Sequence, residues 1–110
     1  MANTFKNAVS SAIGTSQTSV YTVPASTTTT VIGLTVANIT ASAITVDVVI
    51  TDTSETTDVY LVKGATVPVG GALVPVGGDQ KIVLETTDII KVTSDTASSA
   101  DVIVSVLEQS

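Results

Sequence analysis

Aliphatic and polar positions alternate along most of this chain with a period of two, and the aliphatic ones are mostly Val and Ile, whose branched side chains suit pleated strands. The clearest run covers residues 44–50, where Ile44, Val46, Val48 and Ile50 fall on one face and Thr45 and Asp47 on the other. Residues 30–37 place Ile32, Leu34 and Val36 together. The small polar segment 38–42 between the two runs suits a turn, which predicts that they form an antiparallel pair. Upstream, Val20-Tyr21-Thr22-Val23 reads as a strand halted at Pro24, which lacks the N–H a ladder needs.

Downstream, Thr51-Asp52-Thr53-Ser54-Glu55-Thr56-Thr57-Asp58 has nothing apolar to bury and predicts a solvated loop. A strand resumes over residues 59–62, and Lys63-Gly64 marks the next expected turn. Two prolines and two Gly pairs break up residues 66–79, which predicts short edge segments. Within them Val67-Pro68-Val69-Gly70-Gly71 recurs as Val74-Pro75-Val76-Gly77-Gly78, read as a pair of tight turns around an edge segment, since two copies do not make a repeat array. Three further strands are expected over residues 81–85 (Ile82 and Leu84 on one face), 89–93, and 101–107 (Val102, Val104 and Val106 aligned). About eight short strands, turns between them and no helical period predict an all-β chain, a single antiparallel β-sandwich or jelly roll. Residues 20–110 form that domain. Residues 1–19, with only Phe5, Val9 and Ile13 as core candidates, read as an N-terminal arm or edge strand.

A length of 110 residues suits one domain, able to bury roughly two-thirds of its unfolded surface. Hydrophobic residues reach 44% but aromatic ones only 3%, so the core is built from Val, Ile, Leu and Ala. A core so limited is one reason to expect copies to associate. The net charge of −6 opposes nucleic-acid backbones and anionic membranes, and neither is an expected partner. No stretch approaches the roughly 18 apolar residues of a membrane helix, and the first eight residues hold no signal-like apolar region, which predicts synthesis in, and first release into, a cytoplasm. Without Cys, disulfides and thiolate metal sites are excluded.

The chain also lacks His, Trp and Arg, so most nucleophile-activating bases and phosphate clamps are missing. Carboxylates remain, with Asp52, Glu55 and Asp58 in one segment and Asp79, Glu85 and Asp88 in another. A glycosidase pair stands about 5 to 9.5 Å apart, but it also uses a cleft and aromatic platforms, and only Phe5, Tyr21 and Tyr60 are present. The spacing Asp52-x-x-Glu55-x-x-Asp58 does not match the calcium loop of an EF-hand. The Gly pairs lack the Lys-Ser/Thr of a phosphate-binding loop, and the many Ser and Thr residues have no base beside them. The acidic groups therefore read as solvated loop charges. No catalytic, cofactor-binding or metal residue is assigned, no cofactor is expected, and the chain is not expected to be an enzyme. Glycan or receptor contact on the loop 51–58, a calcium site in that loop and a binding role for the repeated pentapeptide are the binding roles left open.

The order Val20-Tyr21-Thr22-Val23-Pro24-Ala25-Ser26, then residues 29–38, then Ala41-Ser42-Ala43-Ile44-Thr45-Val46 resembles a group of small virion proteins of tailed bacteriophages. Tyr60-Leu61-Val62-Lys63, Val67-Pro68-Val69-Gly70, Lys81-Ile82-Val83-Leu84-Glu85 and Asp88-Ile89-Ile90-Lys91-Val92-Thr93 resemble the same group's second half, so that the likeness runs over about residues 20–107. It rests on strand and turn patterns and carries over no site residue. It implies a β-sandwich component of a phage particle, folded in the host cytoplasm and added to a capsid, tail or fibre. With the inert chemistry, it leads to the expectation of a capsid decoration or cement protein. Such a protein would be a homo-oligomer, with a trimer favoured, bound to the major capsid protein or other virion proteins. Its expected contacts are the N-terminal arm and the two Val-Pro-Val-Gly-Gly segments. The alternative is a receptor- or glycan-binding module of a tail or fibre.

Overall fold

The computed structural model describes residues 2–77 and 80–110. Among them are nine strands: β1 (Asn3–Ile13), β2 (Thr18–Thr22), β3 (Thr28–Asn38), β4 (Ile44–Asp52), β5 (Thr57–Val67), β6 (Ala72–Val76), β7 (Ile82–Leu84), β8 (Ile89–Ser94) and β9 (Ala100–Gln109). Strands with one apolar face bury it by stacking sheet on sheet. Here the larger sheet runs β1-β9-β3-β6, with β7 also pairing on β3, and the smaller runs β2-β8-β4-β5. Every pairing is antiparallel, so the chain is an all-β sandwich. Leu34 and Val36 of β3 and Val102, Val104 and Val106 of β9 face Ile44, Val46 and Val48 of β4 and Ile90 and Val92 of β8, all buried. Each such side chain gains roughly 1.5–3 kcal/mol on leaving water, which lets a core whose single aromatic is Tyr21 hold two sheets together.

β3 and β4 do not pair with each other, contrary to the sequence expectation: they lie in opposite sheets. Alternation fixes which face of a strand is buried, but a buried face can stack across a core as readily as it can continue a sheet. The crossing between sheets is made at Asn38, whose buried amide Nδ2 donates to the carbonyls of Ser42 (2.8 Å) and Val67 (3.0 Å) while Oδ1 accepts from the Thr40 N–H (2.8 Å).

Bulges account for two more differences. Between Val31 and Gly33 the register of β3 against β9 shifts, and the extra residue reverses which parity points inward. Val31 is therefore buried with Leu34 and Val36, and Ile32 is not on their face. Lys63-Gly64 is likewise no turn, because β5 runs through it. Val46 opposes Ala65 and Val48 opposes Val62, so Asp47 alone faces both residues. Gly64 adopts φ +64° and donates its N–H to Asp47 Oδ1 at 2.7 Å. The polar run 51–58 is also shorter as a loop than its composition suggests, because Asp52 and Thr57 still pair and only residues 53–56 turn.

β1 lies along β9 from Asn3 opposite Gln109 to Ile13 opposite Ala100, forming one edge of the larger sheet, and residues 18 and 19 already belong to β2. Ile13 enters the core. Phe5 and Val9, the other two core candidates of this segment, are 76% and 68% exposed, because their positions on β1 face away from the second sheet. The repeated pentapeptide adopts two different structures. In the first copy Val67 is buried and Val69 exposed, followed by a turn closed by the Gly71 N–H on the Pro68 carbonyl. In the second, Val74 is exposed and Val76 buried within β6. Gly78, and with it the end of that copy, lies outside the described residues, as does Asp79.

Candidate functional site

The carboxylates group differently in space than in sequence. Asp52 at the end of β4 meets Glu85 and Asp88 from the β7–β8 connection, one oxygen from each within 4.8 Å of the others. Asp58 instead pairs across the hairpin, accepting from the Thr51 hydroxyl at 2.7 Å, and Glu55 stands exposed on the turn. Three oxygens so close are the donor type of a hard cation such as calcium, and two of the three carboxylates also accept backbone N–H groups. Buried Asp88 accepts the Thr53 N–H (3.1 Å) on Oδ1 and the Glu85 N–H (2.9 Å) on Oδ2, tying the hairpin turn to the β7–β8 turn. Asp52 accepts the Ser54 hydroxyl (2.8 Å) and the Glu55 N–H (3.1 Å), which hold its carboxyl below the usual carboxylate range.

The same use recurs across the molecule. Asp47 caps the Gly64 N–H, Asp101 accepts the Ala12 N–H at 3.0 Å beside the β1 bulge, and Asp95 accepts the Thr45 N–H at 3.1 Å, which lowers the Asp95 carboxyl. Ionised carboxylates make strong acceptors for N–H groups that bulges and turns leave without a ladder partner. Much of the acidic complement thus serves the backbone.

Tyr21 closes one end of the sandwich. Its hydroxyl bonds Thr29 Oγ1 (2.8 Å) and Glu108 Oε2 (2.5 Å), and Glu108 also faces Lys6 Nζ at 3.6 Å. Burial, reinforced by the Glu108 bond, pushes the phenol up to about 12. Four strands from both sheets meet in this network. It ties the two sheets together at that end.

The surface that remains is the outer face of the larger sheet. Phe5 stands opposite Leu107 and Val9 opposite Ile103 across β1 and β9, and Val83 of β7 stands opposite Thr30. Asn7, Ser105 and Gly33 lie between them. Two shallow grooves run along this face, one of about 400 Å³ bordered by Val9, Thr35 and Ile103, the other of about 320 Å³ bordered by Phe5, Ile32 and Ser105. On β1, β9 and β3 its outward positions hold one charged side chain, Asp101, already engaged with Ala12. Exposed apolar side chains grouped on one face mark contact surfaces more often than chance.

Sequence reasoning registered Phe5 and Val9 only as core candidates of an arm or edge strand that it expected to make contacts, and it passed over Ile103, Leu107 and Val83. A signal was available: in residues 102–107 both alternating sets hold aliphatic residues, so an apolar outer face was already written into β9. Of the expected contact segments, Val69 and Val74 are exposed, and Val74 precedes Val76 on the strand that borders β3. Comparison of the chain with protein-family models, curated proteins and solved structures found no significant match.

Proposed function

We propose that this chain is a structural component of a bacteriophage virion, a decoration or cement protein that binds the outer capsid shell and stabilises it. The observation that carries this reading is the outer face of the larger sheet, where Phe5, Val9 and Ile103 stand exposed on a nearly uncharged surface of a protein with net charge −6. Such a surface suits a partner met by shape and apolar contact. Asp47, Asp52, Asp88, Asp95 and Asp101 accept backbone N–H groups, which gives these carboxylates a structural use that fits the reading. The likeness of residues 20–107 to small phage virion proteins supports the same reading.

Repetition supplies the mechanism. A small module docked at many equivalent lattice positions bridges neighbours that other copies already hold, so modest single contacts add up to a reinforced shell. Quantitative staining of purified particles is expected to show the chain in hundreds of copies, and Phe5→Lys with Val9→Lys is expected to lower that occupancy while the chain stays folded. A few copies per particle would favour a receptor- or glycan-binding module of the tail or fibre, and absence from particles would overturn the proposal.

A further inference from the structure

Four of the strands that border a sheet carry a feature that discourages further pairing. β2 is short and shifts register between Ser19 and Tyr21, β6 contains Pro75, β7 has three residues, and β5 is broken by the Gly64 bulge. β1 is different. It has 11 residues, no Pro or Gly, and an unbroken register from Asn3 to Ser10.

Its backbone polarity can be assigned. Ala2 and Ser110 exchange both N–H···O bonds, at 2.8 and 3.0 Å, and such pairs alternate along an antiparallel ladder. Thr4, Lys6, Ala8 and Ser10 therefore bond to β9. Asn3, Phe5, Asn7 and Val9 therefore turn their N–H and C=O groups to the open edge, a row that templates another extended strand.

We infer that β1 pairs antiparallel with β1 of a second copy about a two-fold axis through Asn7, joining two larger sheets into one. In this register Phe5 of each copy lies opposite Val9 of the other, two aromatic–aliphatic pairs on the outer face, and Lys6 lies opposite Ala8. Centring on Lys6 would set the two ammonium groups face to face, and centring on Phe5 or Val9 would shorten the ladder. Charge does not oppose a second copy here: the only charge on β1 is Lys6, which faces Glu108 of its own chain at 3.6 Å, so the seam sets no like charges opposite each other. The pairing is isologous and closes at two, whereas the trimer expected from sequence needs two different patches. It concerns the isolated chain and does not rest on the virion reading.

Sedimentation of the purified full chain over a wide concentration range tests this, because a strand seam is small beside the roughly 1,200–2,000 Å² of a stable interface and the dimer should dissociate on dilution. Asn7→Asp, which sets two carboxylates opposite each other on an exposed position, is expected to shift the equilibrium to monomer with the melting curve of the dilute protein unchanged. Asn7→Cys supplies the chain's only thiol. In hydrogen-bonded antiparallel pairs the Cα atoms stand about 5.5 Å apart, within disulfide reach. Mild oxidation is thus expected to cross-link Asn7→Cys into a dimer, to leave Phe5→Cys uncross-linked, and to join Phe5→Cys to Val9→Cys when the two are mixed. A monomer at every concentration, a trimer, an Asn7→Asp variant that still dimerises, or cross-linking of Phe5→Cys alone would overturn the inference.

Discussion

The Tyr21 hydroxyl donates to the Glu108 carboxylate across 2.5 Å, a bond from β2 of one sheet to β9 of the other. Burial first, and then this bond, raise the phenol from 10.0 to about 12. A proton held more tightly in the folded than in the unfolded chain stabilises the fold fully below the unfolded pKa, and that contribution is lost as pH climbs through the folded one. In Tyr60→Phe, where Tyr21 is the only tyrosine, absorbance titration is expected to show ionisation near 12, with the melting temperature falling between pH 10 and 12. Glu108→Gln is expected to move the titration down toward 10.0, because both the hydrogen bond and the charge of Glu108 raise it. Ionisation at 10.0 in folded Tyr60→Phe would show that the phenol is not held as described.

Asn38 is the other residue that couples the sheets, through carbonyls of Ser42 and Val67 and the N–H of Thr40. Asn38→Ala removes the donor and acceptor together and leaves those groups near the core without partners, at about 1–3 kcal/mol for each one that stays dry. Equilibrium urea unfolding is expected to show a loss within that range or above it. Asn38→Asp is expected to be no better, since a carboxylate oxygen would then face the carbonyls that Nδ2 now serves. A variant with wild-type stability would mean that water replaces the amide.

Strands and their inward faces were legible in the sequence wherever period two was unbroken, as in Ile44, Val46, Val48 and Ile50 or Val102, Val104 and Val106. Partners were not legible. Nothing in the alternation of β3 and β4 distinguishes stacking from pairing, and the crossing is held by Asn38, whose four backbone partners span residues 40–68. Bulges were the second blind spot, since one extra residue at Ile32 or at Lys63-Gly64 is invisible until a neighbouring strand sets the register. The two Val-Pro-Val-Gly-Gly copies bury opposite valines, the first at the end of β5 and the second in β6. The outer face could have been read from β9, but only the register of β1 against β9 shows that Phe5 and Val9 share the outward face of Leu107 and Ile103.

Gly64 and Gly33 both sit at bulges, and they separate backbone strain from packing. A Cβ on Gly64 would meet nothing within 4 Å, but its φ of +64° is costly for any residue with a side chain, so Gly64→Ala is expected to destabilise by about 1–2 kcal/mol. Gly33 has no such φ, and a Cβ there would come only as near as 3.8 Å to the Val76 carbonyl oxygen. Gly33→Ala is therefore expected to be neutral or to stabilise by up to about 1 kcal/mol, through the reduced freedom of the unfolded chain. Urea midpoints with unchanged slopes would report both. If Gly64→Ala were as stable as wild type, the bulge at Lys63-Gly64 would not need the left-handed backbone conformation, and the bond from the residue-64 N–H to Asp47 would have to survive in another one.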